Sequence, residues 1–190
     1  MAGLGKTKAK QQFFLPEGVL VQRPIQYEEA LEAGRALPDE DEFTVLQGDL
    51  IQTDVAYFMG EQVGGLPRFI VANSTCDLVE GRRIYAALLR VRALHSTEAN
   101  WGNKLGALLT FESTRAMFLP PLPGDDATVV ANVVDNVVDF DGFAQMTLGD
   151  LHLAVRTASL TLVGWRIFGS MLRGVLVRTG DSEIRLRTTI

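Results

Sequence analysis

The chain has 190 residues, 47% of them hydrophobic and ten of them phenylalanine, enough apolar material for one domain with a full core and too much for a disordered polymer. A net charge of -5 works against bulk attraction to nucleic acid. One cysteine excludes an internal disulfide, and two histidines beside it make a structural zinc site unexpected.

Residues 1–12 read as a flexible basic arm without the apolar core of a secretory signal. Gly3-Leu4-Gly5-Lys6-Thr7 has the look of the end of a phosphate-binding loop, but it lacks the earlier glycine and any preceding strand. Residues 13–25 read as extended, and Tyr27 to Leu37 as a short acidic helix stopped by Pro38. Asp39-Glu40-Asp41-Glu42 follows as a solvated loop. We take residues 1–42 as an arm with a short helix and residues 43–190 as the main domain.

Leu50 to Phe58 alternates like a strand, and the glycines between Gly60 and Pro67 mark a loop. The centre of the chain is Arg68 to Val91. Two apolar runs, Phe69 to Ala72 and Ile84 to Val91, flank Asn73-Ser74-Thr75-Cys76-Asp77. His95 to Lys104 begins with Ser96 and Thr97, which suit a helix cap. Phe111 to Leu119 reads as a strand ended by prolines, and Thr128 to Phe140 as one bent strand or two short ones. Asp141-Gly142 reads as a turn; Asp135, Asp139 and Asp141 lack the glycine and glutamate of a calcium loop. Leu151 to Thr157 is taken as a strand holding a packed His152, and residues 182–190 as a final strand.

Residues 163–178 are expected to form an amphipathic helix capped by Ser159 or Thr161. Arg166 and Arg173 lie seven apart on one helical face, which argues against a membrane span. Its apolar face is broad: Val163, Trp165, Ile167, Phe168, Met171, Leu172, Val175 and Leu176 either close the core or meet another chain. We single out Trp165, Phe168 and Leu172 as candidate partner-binding residues. The strands lie too close together for regular βαβ crossovers, which predicts an α+β fold on a small, mostly antiparallel barrel with about three helices.

The candidate chemistry is sparse. A Cys76 nucleophile would need a base, for which His95 is the nearest histidine, and a positive setting, whereas its neighbour is the Asp77 carboxylate. The plainer reading makes Cys76 a small buried hydrophobe at a strand end and Asp77 a turn residue. Trp101 and Trp165 suit either base stacking or core packing. Arg82, Arg83, Arg90 and Arg92 fall in an acid-free span, so a basic face is an open reading beside plain solvation.

Gln47-Gly48-Asp49-Leu50-Ile51, the glycine loop, Leu66 to Ser74, Ile84 to Val91 and later Val133 to Met146 together resemble a PemK/MazF-like domain. The resemblance implies an SH3-like barrel, a dimer, and in many members a metal-independent toxin endoribonuclease using a loop arginine and a Thr or Ser. Carried over, these fall on Arg68, which here follows Pro67, and on Ser96 or Thr97. Ser74-Thr75-Cys76-Asp77-Leu78 is similar to a Cys-Asp motif of uncharacterised bacterial and phage proteins.

Three functions follow as expectations. The leading one is a non-catalytic interaction or regulatory module of a cytoplasmic bacterial or phage system, working with a protein partner or its own copies, without membrane attachment, metal or cofactor. The second is a toxin-like endoribonuclease, with RNA bound weakly, Arg68 stabilising phosphate charge, Ser96 or Thr97 assisting and His95 the nearest neutral-pH base; over all three readings the candidate catalytic residues are Arg68, Cys76, Asp77, His95 and Ser96. The third is a thiol-dependent activity at Cys76.

Overall fold

The computed structural model describes residues 17–26, 29, 32–34, 45–79, 81–110, 112–122 and 133–176. In chain order the elements are α1 (Glu17–Leu20), β1 (Val21–Gln22), β2 (Asp49–Gln52), β3 (Tyr57–Phe58), β4 (Glu61–Gln62) and β5 (Arg68–Val71). A 3₁₀ turn (Thr75–Leu78), β6 (Tyr85–His95), α2 (Trp101–Leu109), β7 (Ala116–Leu119) and β8 (Val133–Thr147) come next. The described chain closes with α3 (Leu148–Leu153), β9 (Val155–Leu160) and α4 (Leu162–Leu176).

The expected α+β class holds. The nine strands form one antiparallel sheet in the order β1-β9-β2-β5-β6-β8-β3-β4, with β7 also beside β8. No pairing among the described residues joins β1 to β4, so the sheet is open where a closed barrel was expected. Each face carries its own core. Leu50, Ile70, Leu89 and Ala158 point to one, beneath Phe168 and Leu172 of α4 and Leu108 of α2. Ile51, Phe69, Val71, Leu88 and Met146 point to the other, against Leu148 and Leu151 of α3 and Leu78. Coverage on both faces explains why Phe69-Ile70-Val71-Ala72 is continuously apolar instead of alternating.

Strands β6 and β8 form the spine. Leu89 faces Phe143 and Val91 faces Val138, so Asp139 to Gly142 bulge out opposite Arg90 alone. Asp141-Gly142 is thus part of a wide bulge inside one long strand, not a chain-reversing turn. The bulge turns Phe140 into the core, where its ring stacks on Phe168 at 6.0 Å. A Cβ on Gly142 would lie 2.6 Å from Phe58, which explains a glycine there.

Helix α4 confirms the expected cap at Thr161, whose hydroxyl oxygen accepts from the Gly164 amide while its proton goes to the Val19 carbonyl. Ser159, the other candidate, is inside β9. A Cβ on Gly164 would meet the Leu20 carbonyl oxygen at 2.3 Å, so the glycine permits the close crossing of α4 over α1.

Several boundaries differ from expectation. Leu50 to Phe58 is two strands, because Asp54 bends the chain and the Thr53 hydroxyl takes the Val55 amide. The glycine loop contains β4, which pairs with β3 across Met59-Gly60, both at positive φ. β6 runs on through His95, and α2 starts at Trp101 after Asn100 in the left-handed region, with no side-chain cap from Ser96 or Thr97. β7 begins only at Ala116 because Ser113 receives the Arg115 and Ala116 amides in a turn. Residues 148–153 are helical, capped by Thr147, so His152 lies exposed in a helix and not packed in a strand. Within the segment read as extended, Glu17–Leu20 is a helical turn. Of the acidic helix, only Glu29 and residues 32–34 are described, with the Ala33 amide donating to the Glu29 carbonyl. The basic arm, the acidic loop, residues 123–132 and residues 182–190 lie outside the described residues.

Candidate functional site

Strand register separates the candidate catalytic residues. Arg68 lies opposite Val91, and the Ala72 amide bonds the Ala87 carbonyl. The Cys76 turn therefore follows β5 at the Ala87 level of β6, and His95 is eight residues further along. At about 3.3 Å per residue that is roughly 25 Å, far beyond proton-transfer reach. Arg68 is four residues short of His95, roughly 13 Å by the same rise. Nor does Arg68 share a face with Arg90: Arg68 projects with Ile70 and Arg90 with Phe69 and Ala144, on opposite sides of the sheet.

The partners of these groups are structural. Asp77 pairs with Arg83 at 3.5 Å, and Arg82 donates to the Cys76 carbonyl at 3.1 Å. At the far end, Glu98 takes the Lys104 ammonium at 2.8 Å and the His95 amide at 3.2 Å, and lies 3.7 Å from Arg92. The Lys104 bond first, then the His95 amide, hold the Glu98 carboxyl below its ordinary range. Ser96 is half-buried beside this network. Asp139 lies 3.8 Å from Arg92 and Asp141 4.0 Å from Arg115, so cations answer both carboxylates. Among the described residues no three His, Cys, Asp or Glu side chains gather as metal ligands.

Cys76 is exposed, against the expectation of a buried hydrophobe. The 3₁₀ turn buries Leu78 and turns the preceding thiol to solvent. Alkylation of the native protein should therefore proceed at a rate close to that in denaturant; a native rate suppressed about a hundredfold would restore burial.

The polar feature invisible in the linear sequence is a buried cluster at the β2–β9 pairing. Asp49 is 1% exposed, accepts from Ser159 Oγ at 2.6 Å and the Leu46 amide at 2.9 Å, and meets Arg156 at 3.2 Å. Arg156 also donates to Gln26. Burial pushes the Asp49 carboxyl up, and the Ser159, Leu46 and Arg156 contacts oppose it. Every group faces another protein group, so the cluster reads as structure and not as a site. Asp49 after Gly48 was its only sequence signal.

Asp135 differs. It lies half-buried opposite Leu94, and burial raises its pKa to about 6. The fold thus holds the proton that the unfolded chain releases near pH 4, so stability falls as pH climbs from about 4 to 6. Asp135→Asn should match wild type at pH 3.5 and be more stable by about 1 kcal/mol at pH 7.5, after allowing for solvent screening. Denaturation at both pH values measures this; an equal difference at both would show that the carboxyl does not titrate as described.

Helix α4 sorts the partner-binding candidates. Phe168 and Leu172 are in the core at 0% and 6% exposure, which removes them from any surface. Trp165 is 42% exposed, and its indole Nε1 donates to Gln47 Oε1 at 3.0 Å. Gln47 is itself anchored, its Nε2 donating to the Ala72 carbonyl and its amide to Thr75 Oγ1. A groove of about 530 Å³ runs past this anchored ring between Ala72 and α4, edged by Arg166, Arg173 and Leu176. Seven residues of helix set the two arginines roughly 10 Å apart along it. The groove thus offers a rigid aromatic wall, two cations and an apolar floor. It has no acid or base placed for proton transfer among its described lining.

No helix among the described residues is long and apolar enough to cross a membrane. Compared with known proteins, the chain matches no family model and no curated sequence.

Proposed function

We propose that this protein is a non-catalytic interaction module whose contact surface is the Trp165 groove, engaged by a protein partner or by a second copy of the chain. One observation carries the reading: α4 buries Phe168 and Leu172 but leaves Trp165 half-exposed, locked by Gln47, in a groove that Arg166 and Arg173 edge. Rigid aromatics and arginines with little entropy left to lose are what binding hot spots are made of. The roughly 25 Å between the Cys76 turn and His95 favours this reading over a nuclease or thiol enzyme.

The PemK/MazF-like resemblance stays part of the proposal, as does a cytoplasmic bacterial or phage setting. Its support is the neighbouring order of β2, β5 and β6: the strand that begins at Asp49 just after Gly48, the Arg68 run and the apolar run after it.

The test is cross-linking of the whole protein in cells, with recovered proteins quantified for wild type and for Trp165→Glu/Arg173→Glu. A partner set, or self-cross-links, lost in the variant is the expected result; identical recovery overturns the surface. Alongside it, wild type and Arg68→Ala are incubated with mixed-sequence RNA in chelator. No cleavage and only weak, salt-sensitive binding are expected, and cleavage by wild type alone would make the ribonuclease the better account.

A further inference from the structure

We propose that the cleft between α4 and the β7–β8 junction binds a small zwitterion with an apolar body, chemically a free α-amino acid with an apolar side chain. The cleft opens on the Met171 and Val175 side of α4, next to the Trp165 groove, and Ser170 lines both. Its volume of about 570 Å³ falls within the range of small-ligand sites.

The floor is apolar. Phe140 is 4% exposed and backed by Phe168, and Met171 and Val175 extend the surface along α4. The rim carries one charge of each sign. Arg115 Nε lies 4.0 Å from Asp141 Oδ1, the longest of the described ion pairs, with the two side chains 80% and 62% exposed. A pair so loose and so wet contributes little to the fold. The backbone nevertheless holds the two groups side by side, because the Phe140 amide donates to the Arg115 carbonyl at 2.8 Å and the Asp141 amide to Asp139 Oδ1. Ser113 stands beside them. Its oxygen accepts the Arg115 and Ala116 amides, which leaves its hydroxyl proton to donate outward.

The juxtaposition selects a ligand by exclusion. A simple anion would meet Arg115 but be repelled by Asp141, and a simple cation the reverse. An α-amino acid satisfies both: its carboxylate reaches Arg115 and the Ser113 hydroxyl, its ammonium reaches Asp141, and its side chain is directed at Phe140 and Met171. An apolar side chain is preferred because no described charged group lines the floor.

The experiment is two-dimensional NMR titration of the full chain with L-leucine, L-methionine and L-phenylalanine, beside N-acetyl-L-leucine and L-leucinamide. Saturable shifts of the Ser113 to Ala116 and Asp141 to Phe143 amides are expected, with a Kd on the order of 1 mM or tighter. Each blocked derivative should bind at least about tenfold more weakly, as should Arg115→Gln and Asp141→Asn against free leucine. Both side chains are largely exposed, so unchanged thermal midpoints will show that the variants fold. Absence of saturable shifts with any free amino acid overturns the proposal. So does equal binding of leucine and its N-acetyl derivative, or undiminished binding by both variants.

Discussion

Phe168→Ala should cost about 3–5 kcal/mol of folding stability, read from urea denaturation at constant slope. The ring is fully buried and stacks on Phe140 at 6.0 Å, and Phe140 reaches it only because β8 bulges at Asp139 to Gly142. Truncation removes the transfer energy of the ring and leaves a cavity between α4 and a sheet too firmly paired to collapse into it. The paired variant Phe140→Ala/Phe168→Ala should show a coupling of about 0.5–1.5 kcal/mol, the worth of a ring–ring contact beyond its area. Trp165, three residues earlier on the same helix, is half-exposed, so Trp165→Ala should cost much less. A loss under about 0.5 kcal/mol for Phe168→Ala would mean that α4 does not close this core.

Asp49→Ala should destabilise by a similar amount, about 3–5 kcal/mol, for an electrostatic reason. It leaves Arg156, 9% exposed, without its carboxylate, and takes the acceptor from Ser159 Oγ and the Leu46 amide. The intact pair is nevertheless not a net source of stability. Burial outweighs the three partners and pushes the Asp49 carboxyl above its ordinary value, so ionising it costs more in the fold than in the unfolded chain. The double variant Asp49→Leu/Arg156→Met should therefore recover most of the loss, because neither buried charge is left alone. If the double variant is as unstable as the single one, packing and not charge explains the site.

Element types were readable wherever the period was clean. The run Phe69 to Ala72 and the amphipathic α4, with a cap at Ser159 or Thr161, emerge from local pattern alone, since residue spacing and a hydroxyl before an apolar run act within a few residues. Leu148 to Leu153 did not, because six residues with apolar positions suit a strand as well as a helix, and the Thr147 cap lay outside the segment considered. The 15-residue span of β8 was also missed: Asp141-Gly142 has turn chemistry, and only pairing with β6 on one side and β7 and β3 on the other keeps it inside a strand.

For the candidate sites the division is sharper. The amino-acid sequence by itself determined that Cys76 has no disulfide partner, that the arginines are spread over the chain, and that α4 has more apolar surface than a helix facing water needs. Tertiary structure alone decided which of that surface stays outside: Phe168 and Leu172 face the sheet, while Trp165 sits beside Gln47, 118 residues earlier. It also decided that Asp49 and Arg156, 107 residues apart, neutralise one another and that the Cys76 turn and His95 lie at different ends of β6. Local patterns encode periodicity and capping because those forces act between near neighbours. Pairing of distant charges, and which residues of the apolar stripe are buried and which stay exposed, depend on strand register, which is set only when the whole sheet assembles.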